Sequence, residues 1–356
     1  MKTTTHLAKL MLTAIVSFCA PEVFAQTLGE FDPKTNFSQA LGKIKGEKNI
    51  YIANFTVNFQ VYNEKEDFKQ GGRMLGGGYK GDAKASLSVG LTGVSEKDVQ
   101  DATDKLYQDF VAQLKAKGLN VITADEAGKA ETHADYVKLE GGKVSVSQYA
   151  GLMTATPTNY SYYAKKVTDD GKVKKGGFLG QPHFVYAKLS KDLNNAIIAN
   201  VDLFVMFVED KNAWGGAGAN IKIKTNMRLA ATEAIVSTNQ AKIKFKGSNT
   251  VEGITSTVAF YRGKMGLGPE TMYVGVLKDA LPIGDVVEAT KVQSYANNKA
   301  ATTATNAGLY TFYNTENVSS TNAKVIDVDG KKYANGAYEA CKKLVSHHTS
   351  AFFEKL

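Results

Sequence analysis

From Tyr51 to Val61 every odd position is apolar (Tyr51, Ala53, Phe55, Val57, Phe59, Val61), while the even positions from Asn54 are Asn54, Thr56, Asn58 and Gln60. Side chains of a strand alternate between two faces, so this stretch is constrained to be a long strand with one face in a core. Ala85, Leu87, Val89 and Leu91 alternate in the same way with Ser86, Ser88, Gly90 and Thr92. That run is the expected antiparallel partner, reached through a connection containing Gly71-Gly72 and Gly76-Gly77-Gly78. Ile197 to Val208 is almost continuously apolar, the pattern of a central strand covered on both faces. Ile221, Ile223, Met227 and Leu229 alternate with Lys222, Lys224, Asn226 and Arg228, and Ile243 and Phe245 alternate with Lys242, Lys244 and Lys246.

Two segments switch to helical spacing. Val99, Ala102, Leu106, Phe110 and Leu114 line one face of a helix near residues 95–117. Ser95 is its expected cap, with Asp98 completing a capping-box variant and Val94 and Val99 a hydrophobic staple. Gly118 supplies the left-handed stop. Leu119 to Thr123 then reads as a short strand. Tyr333, Ala337, Cys341, Leu344, His348 and Phe352 recur at the same period and predict a closing amphipathic helix.

The expected fold is therefore α+β or α/β: a mixed, largely antiparallel sheet with the 95–117 helix and the C-terminal helix. Residues 49–356 are expected to form a single mixed α/β domain, with a β-rich insertion around 147–190 that carries an Asp-Gly hairpin between Val167 and Val173. Residues 26–48 are expected to be a lead-in segment, and residues 295–308 a surface excursion.

The first 25 residues give an address. Lys2 and Lys9 precede an apolar run, Leu10 to Ala20, too short to span a bilayer, and Val23-Phe24-Ala25 is a small-residue cleavage pattern. This predicts a signal peptide cleaved before Gln26, without lipid on Cys19, whose preceding Phe18 is too bulky for a lipidation site. The formal charge falls from +8 to +7 on cleavage, because Lys2, Lys9 and Glu22 are lost. With Cys19 gone, Cys341 is alone and no intramolecular disulfide can form. Stability must come from a core, and a 43% hydrophobic content can supply one.

Four segments resemble a known architecture. Asn49-Ile50-Tyr51-Ile52-Ala53-Asn54-Phe55 resembles the opening strand of the curli-secretion (CsgG-type) and TolB amino-terminal-like periplasmic α/β fold. Leu106 to Gly118 followed by Leu119-Asn120-Val121-Ile122 is similar to its first helix and second strand. Ala134-Asp135-Tyr136-Val137 with Gly141-Gly142-Lys143-Val144, and Val201-Asp202-Leu203-Phe204-Val205, resemble further segments of it. The resemblance implies a periplasmic α/β fold. Its motifs are fold-forming positions and imply no catalytic residue.

Tests for chemistry are negative. Arg73-Met74-Leu75-Gly76-Gly77-Gly78-Tyr79-Lys80 lacks the Gly-Lys-Ser/Thr ending of a phosphate loop. Asp327-Val328-Asp329-Gly330 would place Lys331 at a calcium-ligand position, and reads instead as a turn into the last helix. Cys341 and His348 share a helix face, but no second Cys exists to build a zinc site with His133, His183 or His347. There is no Gly-x-Ser-x-Gly elbow. No metal or cofactor is expected.

Binding features are more substantial. Lys222, Lys224 and Arg228 on one strand, with Lys242, Lys244 and Lys246 on the next, would form one basic sheet face if the strands pair. Tyr160, Tyr162 and Tyr163 stand beside Lys165, Lys166, Lys172, Lys174 and Lys175 and read as core aromatics on a basic hairpin. The expected function is non-enzymatic: assembly, binding or a structural role at the periplasm or outer membrane of a bacterial envelope. An anionic envelope surface or an envelope protein is the expected partner, and no nucleic acid. The alternatives are a secreted hydrolase using two carboxylates on envelope polymer, and a membrane-inserting β-hairpin between residues 51 and 91.

Overall fold

The structure is a computed structural model. It describes residues 27–69, 72–73, 79–80, 83–146, 151–165, 182–210, 220–238, 249–295 and 324–354. Several expected features lie outside the described residues: the 1–25 leader, the 167–173 hairpin with Lys166, Lys172, Lys174 and Lys175, the strand carrying Lys242, Lys244 and Lys246, and nearly all of the 295–308 excursion.

The chain begins with β1 (Pro33–Gln39), β2 (Asn49–Gln60), β3 (Tyr62–Lys69), the short β4 (Gly72–Arg73) and β5 (Tyr79–Lys80), and β6 (Ala83–Thr92). After α1 (Glu96–Ala116) come β7 (Asn120–Val121), α2 (Ala124–Ala127), β8 (Val137–Glu140), β9 (Ser145–Val146), β10 (Leu152–Ala155) and β11 (Ser161–Ala164). Then follow α3 (Pro182–Asp192), β12 (Ile197–Glu209), β13 (Asn220–Leu229), β14 (Thr232–Thr238), β15 (Asn249–Thr255), β16 (Thr257–Arg262) and β17 (Thr271–Leu277). The chain closes with β18 (Leu281–Pro282), β19 (Lys291–Tyr295), β20 (Lys324–Asp327) and α4 (Gly330–Phe353).

The main sheet runs β1-β17-β16-β12-β2-β10-β9, with β7 joining β2 and with β13, β18 and β19 extending from β12. It is antiparallel except where β2 pairs with β12 and β7. The mixed, largely antiparallel sheet and the closing helix are as the residue patterns predict. β12 is the centre. It is long enough for one edge to serve two partners, β16 along Ile198–Asp202 and β13 along Val205–Glu209.

Both long helices cover one face. Ser95 accepts a hydrogen bond from the Asp98 amide at 3.2 Å while Asp98 accepts from the Ser95 amide at 3.1 Å, the reciprocal cap expected. Phe110 and Tyr107 of α1 pack on Phe55, Tyr333 of α4 on Phe59, and Phe352 stacks on Phe260. The two helices run side by side in the same direction: Lys105 lies over the Tyr338 ring, and Gln113 donates to Ser346. Asp329 caps α4 by accepting from the Lys331 and Lys332 amides, so its carboxylate ends a turn. Cys341 and His348 are buried in the α4–sheet seam. The His348 ring lies directly over Gly275 of β17, where a Cβ would come within 2.2 Å of it. α3 packs on the opposite face, with Leu189 against Tyr51, Ile198 and Tyr261.

Two expectations are corrected. The partner of β6 is β3, not the Tyr51–Val61 strand. The chain turns without a loop at Val61, where the Val61 and Tyr62 amides both bond to the Gly151 carbonyl. Alternation reports which face is buried and carries no information about which strand is the neighbour. Residues 26–48 are also more than a lead-in. β1 pairs antiparallel with β17 as an exposed edge strand, and Leu41 and Ile44 are buried.

Candidate functional site

Lys222, Lys224 and Arg228 do share one strand, β13, but they do not form an open basic face. Both edges of β13 are occupied, by β12 from Lys224 to Leu229 and by β19 and β18 on the other side. Lys222 is exposed, whereas Lys224 faces Glu209 across one edge and Lys291 across the other. Arg228 is only 3% exposed. Its guanidinium is spent on both oxygens of Glu233 and on the Asn226 and Val208 carbonyls, at 2.9 and 2.8 Å. Lys242, Lys244 and Lys246 lie outside the described residues.

Arg228 and Glu233 line a cleft of about 410 Å³ with Glu209, Asp210, Lys278 and Asp279. Four carboxylates line it, and two of them, Asp210 and Glu233, are tied to cations. Asp210 pairs with buried Lys65 at 2.7 Å, Glu233 pairs with Arg228, and Lys278 pairs with Asp32 at 3.2 Å. Hydrolysis by paired carboxyls needs one acid kept protonated in an apolar or like-charged setting. Asp210 and Glu233 instead sit in ion pairs with Lys65 and Arg228. The cleft reads as an ion-paired junction that fixes β14 to β13 and β3 to β12.

A different polar constellation lies on the sheet face that carries α3. Cross-strand register sets Asn54 beside Asn200, Thr56 beside Asp202, Asp202 beside Thr257, and Thr154 beside Asn58. Thr56 Oγ1 and Asn58 Nδ2 both donate to Asp202 Oδ1 at 2.8 Å. Thr154 donates to Asn58 Oδ1 at 2.6 Å, and Tyr186 OH to Asn200 Oδ1 at 3.2 Å. Asp202 Oδ2 has no hydrogen bond to protein among the described residues. Burial raises this carboxyl from 3.8 to about 6, against the lowering effect of its two donors. Apolar patches flank the row, Tyr51, Ile198 and Tyr261 on one side, Phe204, Met206 and Ile235 on the other. The row can accept and donate hydrogen bonds, and its single acid has no partner acid for general acid–base work. The signal is present in the sequence: Asn200 and Asp202 are polar residues two apart inside an otherwise apolar strand.

The third feature is one end of the sheet. β2 and β12 start side by side, Ile50 opposite Ile197, and β16 ends there. β7 starts there as well, just after α1 ends. Lys45, Lys48, Lys115, Lys117, Lys191 and Lys264 are exposed on this end and form no ion pair among the described residues. Two neighbouring acids are already matched, Glu270 by Lys43 at 2.8 Å and Glu47 by Arg262 at 3.7 Å, and Asp192 accepts from the Thr132 amide and hydroxyl. Lys115 and Lys191 sit in the last turns of α1 and α3, where they offset the helix dipole. Lys45, Lys48 and Lys264 are on connections and have no such task.

Among the described residues no three His, Cys, Asp or Glu side chains group to hold a metal ion, and no helix is long and apolar enough to cross a membrane. Comparison with known proteins gives no match to a family model, to a curated protein or to a solved structure.

Proposed function

We propose that this chain is an exported protein of a bacterial envelope that acts by binding and assembly at an anionic surface, without catalysis. The observation that carries the reading is the cationic sheet end, where six exposed lysines form no ion pair among the described residues while Glu270 and Glu47 are matched by Lys43 and Arg262. The 1–25 leader and the net charge of +7 left after its loss support it, the charge because a basic exported chain meets anionic lipid and polysaccharide. The hydrolase alternative draws no support from Asp210 and Glu233 of the cleft, which are paired to Lys65 and Arg228. The membrane-hairpin alternative needs a strand apolar on one face, and β3 carries Lys65 and Asp67 on one parity and Glu64 and Glu66 on the other.

The test is cosedimentation of the mature chain with vesicles containing phosphatidylglycerol, across a salt series. Binding should fall as salt rises. Reversing Lys45, Lys48 and Lys264 to Glu should weaken it more than reversing Lys222 and Lys224. Equal binding to neutral and anionic vesicles, or none at low salt, would overturn the proposal.

A further inference from the structure

The cationic end also carries the most exposed large apolar side chains of the described residues. Met265 is 58% exposed and Leu267 64%, and both lie in the connection between β16 and β17. Lone exposed apolar residues are ordinary. Here two sit on one turn whose shape leaves them no route into the core.

The turn is tightly built. The Met265 amide bonds to the Gly268 carbonyl at 2.9 Å and the Gly268 amide to the Met265 carbonyl at 3.2 Å. This closes a two-residue hairpin loop over Gly266-Leu267. Gly266 has a φ of +60°, as the first central residue of a type II′ turn requires, while Leu267 has no such conformation. The base of the turn is anchored in the fold. The buried Ser190 hydroxyl accepts from the Gly263 amide at 2.7 Å and donates to the Ala196 carbonyl at 2.6 Å. Arg262 lies between Glu47 and Glu270 on the other side. Met265 and Leu267 are thus held outward by a frame that costs little further ordering when they leave water.

We infer that the Met265–Gly268 turn inserts its two apolar side chains into the surface of an anionic phospholipid bilayer, with the surrounding lysines on the headgroups. This rests on the anionic-surface reading above and deepens it by naming lipid as the partner. Charge complementarity selects the occupant. A second copy of this chain would bring like-charged ends together, whereas an anionic headgroup layer offers negative charge at the rim and an apolar interior at the tip. Lys264 directly precedes Met265, which puts a cation at headgroup depth when the tip is buried.

The experiment uses the mature chain and vesicles of phosphatidylglycerol with phosphatidylcholine. In a Trp214→Phe background, Leu267→Trp should shift its emission to the blue on vesicle addition and be quenched by lipids brominated along the acyl chain. Met265→Ser with Leu267→Ser should lower vesicle affinity by roughly tenfold or more, since two apolar side chains no longer leave water. Retention on a heparin column, which reads charge alone, should not change. Vesicle binding without emission shift or quenching would overturn insertion and leave the anionic-surface reading standing. No binding to vesicles or heparin by the unaltered chain would overturn both. Loss of a dimer in sedimentation by the double variant, with vesicle binding retained, would assign the tip to self-association and overturn the lipid assignment.

Discussion

Replacing Asp202 with Asn should stabilise the protein at alkaline pH and leave it unchanged in acid. The folded carboxyl titrates at about 6 rather than 3.8, because it is removed from most of its water. A group whose folded value is raised contributes its full stability below the unfolded value and loses it as pH rises through the folded one. A shift of about two units corresponds to about 3 kcal/mol at 1.36 kcal/mol per unit. The residue keeps some contact with solvent, which screens part of this, and the expected cost of the carboxylate is about 1–3 kcal/mol. The amide introduced by Asp202→Asn would keep a carbonyl oxygen for the Thr56 and Asn58 donors, both of which address one oxygen. Urea denaturation at pH 4, 6 and 8 measures the difference directly. The variant should gain about 1–3 kcal/mol at pH 8, less at pH 6 and almost nothing at pH 4. A gain of constant size across the series, or a loss at pH 8, would show that desolvation does not govern this site.

Phe110→Ala should cost about 3–5 kcal/mol, because the ring is 1% exposed between Phe55 and the rest of α1, and an unchanged urea midpoint would place that face outside the core. His348 should make the fold acid-sensitive: its ring accepts from Tyr273 OH through Nδ1 and donates from Nε2 to the Val276 carbonyl, a neutral tautomer, and burial lowers its value to about 4. Stability present above pH 6.5 should therefore be lost as pH falls toward 4, by about 3 kcal/mol, and His348→Gln should flatten that slope in the same titration.

Periodicity makes the elements legible far better than their neighbours. The cap at Ser95, the α1 face through Phe110 and the α4 face through His348 all depend on residues within a few turns of one another, so local spacing encodes them. Pairing of β6 with β3 instead of β2 depends on Gly151, whose carbonyl takes the amides of Val61 and Tyr62 from far back in the chain. Its φ of +76° and the Tyr62 carbonyl 2.0 Å from where a Cβ would stand explain the residue, but only after the fold is known. The basic strand misleads for a related reason. Arg228 and Lys222 are both even positions of β13, yet the ladder shifts register between Thr225 and Arg228 and Glu233 lies close enough to claim the guanidinium, so sequence parity does not report depth. The Asp202 row is visible as Asn200 and Asp202 within the apolar run, but a run so apolar reads as wholly buried. The Met265–Leu267 tip leaves no periodic trace, since its significance comes from exposure.

The pairing of β1 with β17 also sets a clock. Pro33 and Leu277 meet across about 240 positions of chain. At a synthesis rate of roughly 5–20 residues per second, β1 emerges roughly 10–50 s before the strand it completes. Throughout that interval the central strands have no finished edge, and β17, once made, presents bare backbone amides and carbonyls until the oldest segment of the domain returns to cover them. The seam at one edge of the sheet is thus formed by the first strand made among the described residues, and anything that detains the segment around Phe37 leaves that edge open.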